Sequence, residues 1–258
     1  NSTGFALLLA SLGIPVGPKA TQDWDLPSFL HRAPLWQQRL FLAGFFGAEL
    51  TSPRAMKKAN HNFSCPVLVV VKREGFVDSG ARFLGGIARM LERFGVASLT
   101  VSRREEQMNP DGRRSIRLRL VISDRTENLG ALWGRVGFEY NAKRSRLARE
   151  AVGYLRRKSA HLAARDLVRR RILEIRSASG WGAGKLLAAV AGEPVTVNRR
   201  FVERTIYGRG DRAVRAPEGF PTFEAWRREW VRKGIVWEEL LARTPRPDVR
   251  RVYDITVD

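Results

Sequence analysis

Residues 40–50 (LFLAGFFGAEL) form the stretch that most constrains how this chain folds. The stretch is apolar up to its last acidic residue, and its small residues fall on neighbouring turns of one predicted helix. Ala43, Gly44 and Gly47 leave room for a second helix to approach closely along that face. The helix, predicted over residues 35–50, carries the carboxylate of Glu49 at its C-terminal end.

Strand-like and helix-like patterns alternate after this helix. Residues 66–73 contain a β-branched run that is typical of a buried strand, and residues 79–94 carry apolar side chains at helical spacing. Two further strands are predicted over residues 97–103 and 114–122, because the segment Asn109–Gly112 between them has good turn chemistry. A short helix over 127–137 and a long, Arg-dense helix over 146–177 follow. Helices and strands together predict an α+β fold.

The strand over residues 114–122 alternates between apolar and cationic side chains. Ile116, Leu118 and Leu120 fall on one face, whereas Arg117 and Arg119 fall on the other. Since side chains alternate across a strand, this pattern predicts a sheet with one face against helices and a cationic face exposed.

The C-terminal part of the sequence is predicted to form short helices. Residues 184–191 and 198–207 are predicted helices separated by a turn, an arrangement similar to a helix-turn-helix. Three arginines of the second helix are expected to face phosphates or bases: Arg199, Arg200 and Arg204. The spacing of three tryptophans favours core aromatics over base-stacking residues: Trp226, Trp230 and Trp237.

The charge balance favours a polyanionic partner. The chain has 46 Lys and Arg against 26 Asp and Glu, a formal net charge of +20. Neutralised phosphates release counterions, so this excess favours nucleic acid over the alternative of a generally Arg-rich proteome. No segment matches a membrane-surface helix or a membrane span, and a single cysteine fits a reducing compartment, so we expect a cytoplasmic protein without a membrane partner. A first residue other than Met suggests a fragment.

The apolar helix and the element order together resemble a known family. Residues 40–50 are similar to the LAGLIDADG motif of homing endonucleases, closest to the dodecapeptide-type branch found in inteins. The resemblance implies the family's αββαββα fold with a C-terminal helix-turn-helix-like DNA-binding region. It divides the chain into the tail of a first repeat with a linker (1–34), a LAGLIDADG repeat (35–150), a basic helical region (151–240) and an intein-like return strand (241–258).

The same resemblance implies an enzyme that cuts both strands of DNA with Mg²⁺ or another divalent cation. Glu49 is then the metal ligand, with Lys143 and Lys72 as lysines that tune the attacking water. Glu49 and Leu50 stand where the family usually has Asp and Gly. A chain with one motif also requires a partner, either a missing first LAGLIDADG half or a second copy of itself.

Double-stranded DNA is expected against the cationic face of the sheet. Side chains proposed for this contact also come from the segment before the first strand; the set is Arg54, Lys57, Lys58, Asn60, Asn62, Lys72, Arg103, Arg117 and Arg119. The alternatives are a catalytically degenerate DNA-binding protein of the same family and an RNA-binding, maturase-like role.

Overall fold

Helices pack on one face of a small antiparallel sheet in a computed structural model that describes residues 3–57, 61–193, 195–208, 216–217 and 219–230. The helices are α1 (Thr3–Ser11), α2 (Phe29–Arg32), α3 (Leu35–Glu49), α4 (Val77–Glu92), α5 (Thr126–Ala131), α6 (Ala142–Ser179), α7 (Ala183–Ala189), α8 (Arg199–Tyr207) and α9 (Phe223–Trp230). The strands are β1 (Val67–Arg73), β2 (Ser98–Met108) and β3 (Arg114–Ile122). Short 3-10 turns lie at Lys19–Thr21 and Glu74–Phe76, and a π-turn at Leu132–Val136 extends α5.

The sheet has the strand order β1-β3-β2, and both pairings are antiparallel. Apolar side chains on one face of β3 are buried because they pack into the same hydrophobic cluster as α3 and α4. We call this cluster the first core. Its fully buried members include Leu42, Phe46, Leu84, Ile87, Leu118 and Ile122.

Within the described residues the sheet has three strands, one fewer than the predicted αββαββα order requires. Residues 51–57 and 61–66 contribute only an isolated bridge between Ala55 and Phe63. This polar segment contains Pro53 and lacks a β-branched run, so it has little tendency to form a regular strand. The three-stranded sheet leaves the specific fold family untested.

Helix α3 packs its small residues against the irregular segment 138–141. The backbone N–H of Glu139 donates to the carbonyl of Ala43 (2.9 Å), and the Asn141 amide donates to the carbonyl of Gly47 (2.7 Å). A Cβ placed on Gly47 would lie 2.2 Å from the Glu139 carbonyl oxygen. The close approach predicted for this face is therefore made by residues 138–141 and not by a second helix.

Helix α6 runs without interruption for 38 residues and ends at Ser179, after which Gly180 has a positive φ of 66°. Its N-terminal half packs into the first core, whereas Val168 and Ile172 form a separate cluster with α7 and α8. We call this cluster the second core. The predicted domain boundary between residues 150 and 151 thus falls inside one helix.

Helix α9 returns to the first core, where Phe223 and Trp226 are buried. Trp226 is therefore a core aromatic, as its spacing indicated. The side chain of Trp230, Trp237 and the predicted return strand over 241–258 lie outside the described residues. Among the described helices, none has both the length and the apolarity that crossing a bilayer requires.

Candidate nucleic-acid interface

The face of the sheet that points away from the helices carries three rows of mixed side chains. The strand register aligns Ser102, Arg119 and Val69 in one row. The neighbouring rows on the same face are Arg104, Arg117 and Val71, and Gln107, Ser115 and Arg73. We call this surface the open face. It exposes guanidinium groups, the Gln107 amide and the Ser102 hydroxyl, which are the kinds of group that contact phosphates and base edges, whereas Ser115 is buried.

Arginines on the open face differ in whether they are neutralised. Arg117 forms an ion pair with Glu106, and Arg73 binds Asp111 at 2.7 Å. The Arg113 backbone N–H and the Arg73 guanidinium hold the pKa of the Asp111 carboxyl below its usual range. Arg104 and Arg119 are exposed and have no ion pair with any described residue. These two arginines leave the positive charge of the open face unbalanced.

Strand β2 is an edge strand of the sheet. Every residue from Leu99 to Met108 is exposed, so both faces of this strand are accessible to solvent. The register shifts twice along the pairing with β3, once between Ser98 and Thr100 and once between Glu105 and Gln107. Such irregularities increase the twist of a strand pair. The β2–β3 pair is thus a twisted ribbon with one cationic face.

Arg103 lies on the other side of the sheet from Arg117 and Arg119. Its register partner is Leu118, which faces the first core, and its guanidinium lies 3.4 Å from the Asp78 carboxylate at the start of α4. The prediction that placed Arg103 on the DNA-binding face with Arg117 and Arg119 is wrong, because strand alternation puts its neighbour Arg104 there instead.

The segment between α3 and β1 presents some of its predicted contacts. Arg54 and Lys57 are exposed, whereas the Asn62 side chain accepts a 2.6 Å hydrogen bond from Lys158 of α6. Asn62 therefore anchors this segment to α6. Lys58 and Asn60 lie outside the described residues.

Lys72 holds the N-terminal segment onto the sheet. Its side chain is 1% exposed, and its ammonium group donates to the carbonyls of Lys19 and Gln22, both at 2.8 Å. The Trp24 ring centroid lies 5.1 Å from the same nitrogen. Burial lowers the pKa of Lys72. With its donors directed at backbone carbonyls, Lys72 does not reach DNA or an attacking water, contrary to its predicted roles.

The cation that contacts the C-terminal end of α3 is Arg144 and not the predicted Lys143. Arg144 donates to the carbonyls of Phe46 (3.0 Å) and Leu50 (2.6 Å), so it caps the C-terminus of α3. Lys143 and Glu49 are both exposed. No cluster of three or more potential metal-ligating side chains occurs in the part of the chain that the structure describes. Divalent metal binding at Glu49 stays a prediction.

Helix α8 presents the three arginines predicted for the helix-turn-helix-like region. Arg199 binds Glu203 at 2.8 Å on the same helix. Arg200 and Arg204, one turn apart, are exposed, and Val202 on the opposite side is buried in the second core. Arg200 and Arg204 are therefore the arginines that α8 offers to a partner.

Comparisons with known proteins show which proteins contain a segment of similar sequence. The chain is 34% identical over 260 residues to tRNA-splicing ligase RtcB of Pyrococcus furiosus, covering 100% of this chain and 25% of that protein. It is 31% identical over 259 residues to the protein of the same name from Methanopyrus kandleri, covering 99% and 25%. It is 27% identical over 260 residues to Replication factor C small subunit of Methanocaldococcus jannaschii, covering 99% and 13%.

The chain thus spans about a quarter of the length of the tRNA-splicing ligases that it matches. No protein-family model matches the chain, and no solved structure matches it.

The names of the relatives contradict the identification made from the sequence. The relatives with identities of 31–34% are named tRNA-splicing ligase, whereas the resemblance implied an intein-associated LAGLIDADG homing endonuclease. The predicted metal-dependent hydrolysis of DNA is contradicted on the same ground, and a degenerate member of that family gains no support. Small and apolar residues at this spacing are what any closely packed core helix requires, and α3 is such a helix.

Sequence reasoning missed Arg104 and Arg144. The signal for Arg104 was available, since it lies an even number of residues from Ser102 and Thr100 on a strand that was predicted only as far as Arg103. The capping role of Arg144 had no sequence signal, because its acceptors are more than 90 residues away along the chain.

Proposed function

We propose that this chain is a nucleic-acid-binding segment of a larger protein and that the open face of its sheet binds a duplex. The observation that carries the proposal concerns Arg104 and Arg119. Both are exposed on a twisted ribbon and neither has an ion pair among the described residues, in a chain of net charge +20. Such a surface gains affinity from phosphate neutralisation and counterion release.

The spread of the segment among relatives supports binding over a specific reaction. Nearly the whole chain matches proteins named tRNA-splicing ligase and a protein named Replication factor C small subunit. These names denote different activities. The segment that the proteins share is therefore more consistent with a property that proteins of different activity have in common. Binding to nucleic acid is such a property. We therefore assign no ligase activity to this chain.

Double-stranded DNA is the ligand that we propose. The major groove of B-DNA admits a two-stranded β-ribbon, and arginine pairs well with guanine there. The major groove of an RNA duplex is deep and narrow, so a ribbon does not enter it. The outer position of β2 and the exposure of both its faces suit the wide groove.

RNA is the second candidate ligand. It is favoured by the name tRNA-splicing ligase, which is carried by relatives of whose length the chain covers 25%. In this case the open face contacts phosphates and hydroxyls along a minor groove. If DNA is the ligand, the chain should bind a DNA duplex more tightly than an RNA duplex of the same sequence. If RNA is the ligand, the order of the affinities should be reversed.

The test measures binding of the chain to matched DNA and RNA duplexes by fluorescence anisotropy over a range of salt concentrations. Replacing Arg104 and Arg119 together by alanine should weaken DNA binding by roughly tenfold or more. The slope of log affinity against log salt should also fall by about two, one for each lost phosphate contact.

Arg103→Ala is the matched control for Arg104→Ala alone, since it removes the same charge from the neighbouring position of β2 but on the side that faces α4. It should change affinity by less than about threefold. Equal losses for Arg103→Ala and Arg104→Ala would show that only overall charge matters and would overturn the open face as the site. Tighter binding to the RNA duplex would favour the second candidate.

A further inference from the structure

The second core is a structural unit with its own charged surface. Val168 and Ile172 of α6 pack with Leu186 of α7 and Val202 of α8. Arg165 closes this unit, since its guanidinium stacks on the Phe201 ring (4.3 Å to the centroid) and donates to the Thr196 carbonyl. The unit therefore fixes the orientation of α8 without help from the sheet.

The outward face of α8 fits a polyanionic groove. Arg200, Arg204 and Tyr207 follow one another at spacings of four and three residues, so they share one helix face. Tyr207 is 70% exposed. Arg199 lies to the side of this row and is held by Glu203. Two cations and an aromatic ring with a hydroxyl thus project together from a helix whose opposite side is anchored.

Helix α6 sets the spacing between the two cores. Tyr154 lies in the first core and Ile172, 18 positions later, in the second, and the residues between them contain neither Gly nor Pro. At about 1.5 Å per residue the separation along the helix is about 27 Å. One turn of B-DNA measures roughly 34–36 Å, so the two cores lie a little less than one turn apart.

We propose that the second core is a second DNA-contacting unit, with α8 directed at the major groove, and that α6 spaces it so that both units bind one duplex. The choice of DNA rests on the proposed function and gains support here, because a helix enters the major groove of B-DNA but not that of an RNA duplex. Two linked contacts reinforce each other, since binding of one raises the effective concentration of the other.

The experiment compares a duplex of about 10 base pairs, long enough for one unit, with one of about 25 base pairs, long enough for both. Replacing Arg200 and Arg204 together by alanine should weaken binding to the long duplex by roughly tenfold. The same change should alter binding to the short duplex by less than about threefold, because the open face still binds it. Nuclease footprints on the long duplex should shorten on one side only.

Arg199→Ala is compared with Arg200→Ala alone, because each removes one cation from α8 but only Arg199 is held by Glu203. The Arg200 change should weaken binding to the long duplex more than the Arg199 change. Unchanged binding of the long duplex by the Arg200/Arg204 variant overturns the second unit, and so does an equal loss on both duplexes. If this variant binds normally while the Arg104/Arg119 variant does not, the inference fails and the proposed function stands. If only the Arg200/Arg204 variant loses binding, α8 is a DNA-contacting helix and the open face is not the site.

Discussion

Among single residues, Tyr154 has a charge state that is strongly set by its surroundings. Its side chain is fully buried between the rings of Phe63 and Phe223, and its hydroxyl donates to the Pro221 carbonyl (2.9 Å). His61 Nδ1 lies 3.1 Å from the same oxygen. Burial raises the pKa of Tyr154 from 10.0 to about 12, because the phenolate would lose its hydration.

The raised pKa of Tyr154 predicts a stability that falls at high pH. Above pH 10.0 the unfolded chain releases this proton, whereas the folded chain keeps it until about pH 12. The folded state binds more protons in that window, so its free energy of unfolding declines as pH rises through it. Urea unfolding of Tyr154→Phe should show a weaker decline, and the absorbance at 295 nm should lose the titration near pH 12. Identical pH profiles for the two proteins would contradict the burial of this hydroxyl.

Residue roles were the part of the site that the sequence predicted least well. The sequence does not distinguish a strand lysine that faces DNA from one that donates to a buried carbonyl. Lys72 donates to the carbonyls of Lys19 and Gln22, which are brought close to it only by folding. Arg103 and Arg104 differ by one position, and one position reverses the face of a strand. Long-range contacts decided these roles, and no local pattern encodes them.

Local patterns predicted the elements far better. Helix α3 and strands β1 and β3 occupy the expected positions because their apolar periodicity is read within a few residues. Strand β2 continues five residues past its predicted end at Arg103, because pairing with β3 and not its own composition sustains it. The predicted αββαββα order lacks one strand in the described residues for the converse reason, since the polar segment before β1 finds no partner strand.

The packing of α3 makes two neighbouring glycines respond in opposite ways. Gly47→Ala brings a methyl group within 2.2 Å of the Glu139 carbonyl, which is backbone and does not yield easily. We expect a loss of about 1–3 kcal/mol in the free energy of unfolding. Gly44→Ala meets only the Tyr140 ring at 3.6 Å, an ordinary contact. This variant should be neutral or gain up to about 1 kcal/mol from helix propensity.

Chemical denaturation of the two alanine variants, compared with the parent chain, measures this difference. Equal effects at the two positions would show that residues 138–141 do not cover α3 in solution. That outcome would also leave the face of Gly44 and Gly47 available to a second copy of the chain, the dimer contact that stays a prediction.

At the scale of the molecule, the two cores share α6, but among the described residues they have no buried side chain in common. The first core includes residues of α3, α4, the sheet and α9, whereas the second is built from the end of α6 with α7, α8 and the residues between them. Small clusters linked by one helix open independently when the energy that couples them is small. The second core should therefore open locally while the sheet remains folded.

Hydrogen exchange on two core variants tests this independence. Ile172→Ala removes a fully buried side chain from the second core, and we expect its α7 and α8 amides to lose about 2–4 kcal/mol of protection while β3 amides keep theirs. Leu84→Ala is the matched change in the first core and should lower protection in β3. A uniform loss throughout the chain after Ile172→Ala would mean one cooperative unit. Local loss would instead mean that α8 is held in place by its own core, as a separately acting DNA contact requires.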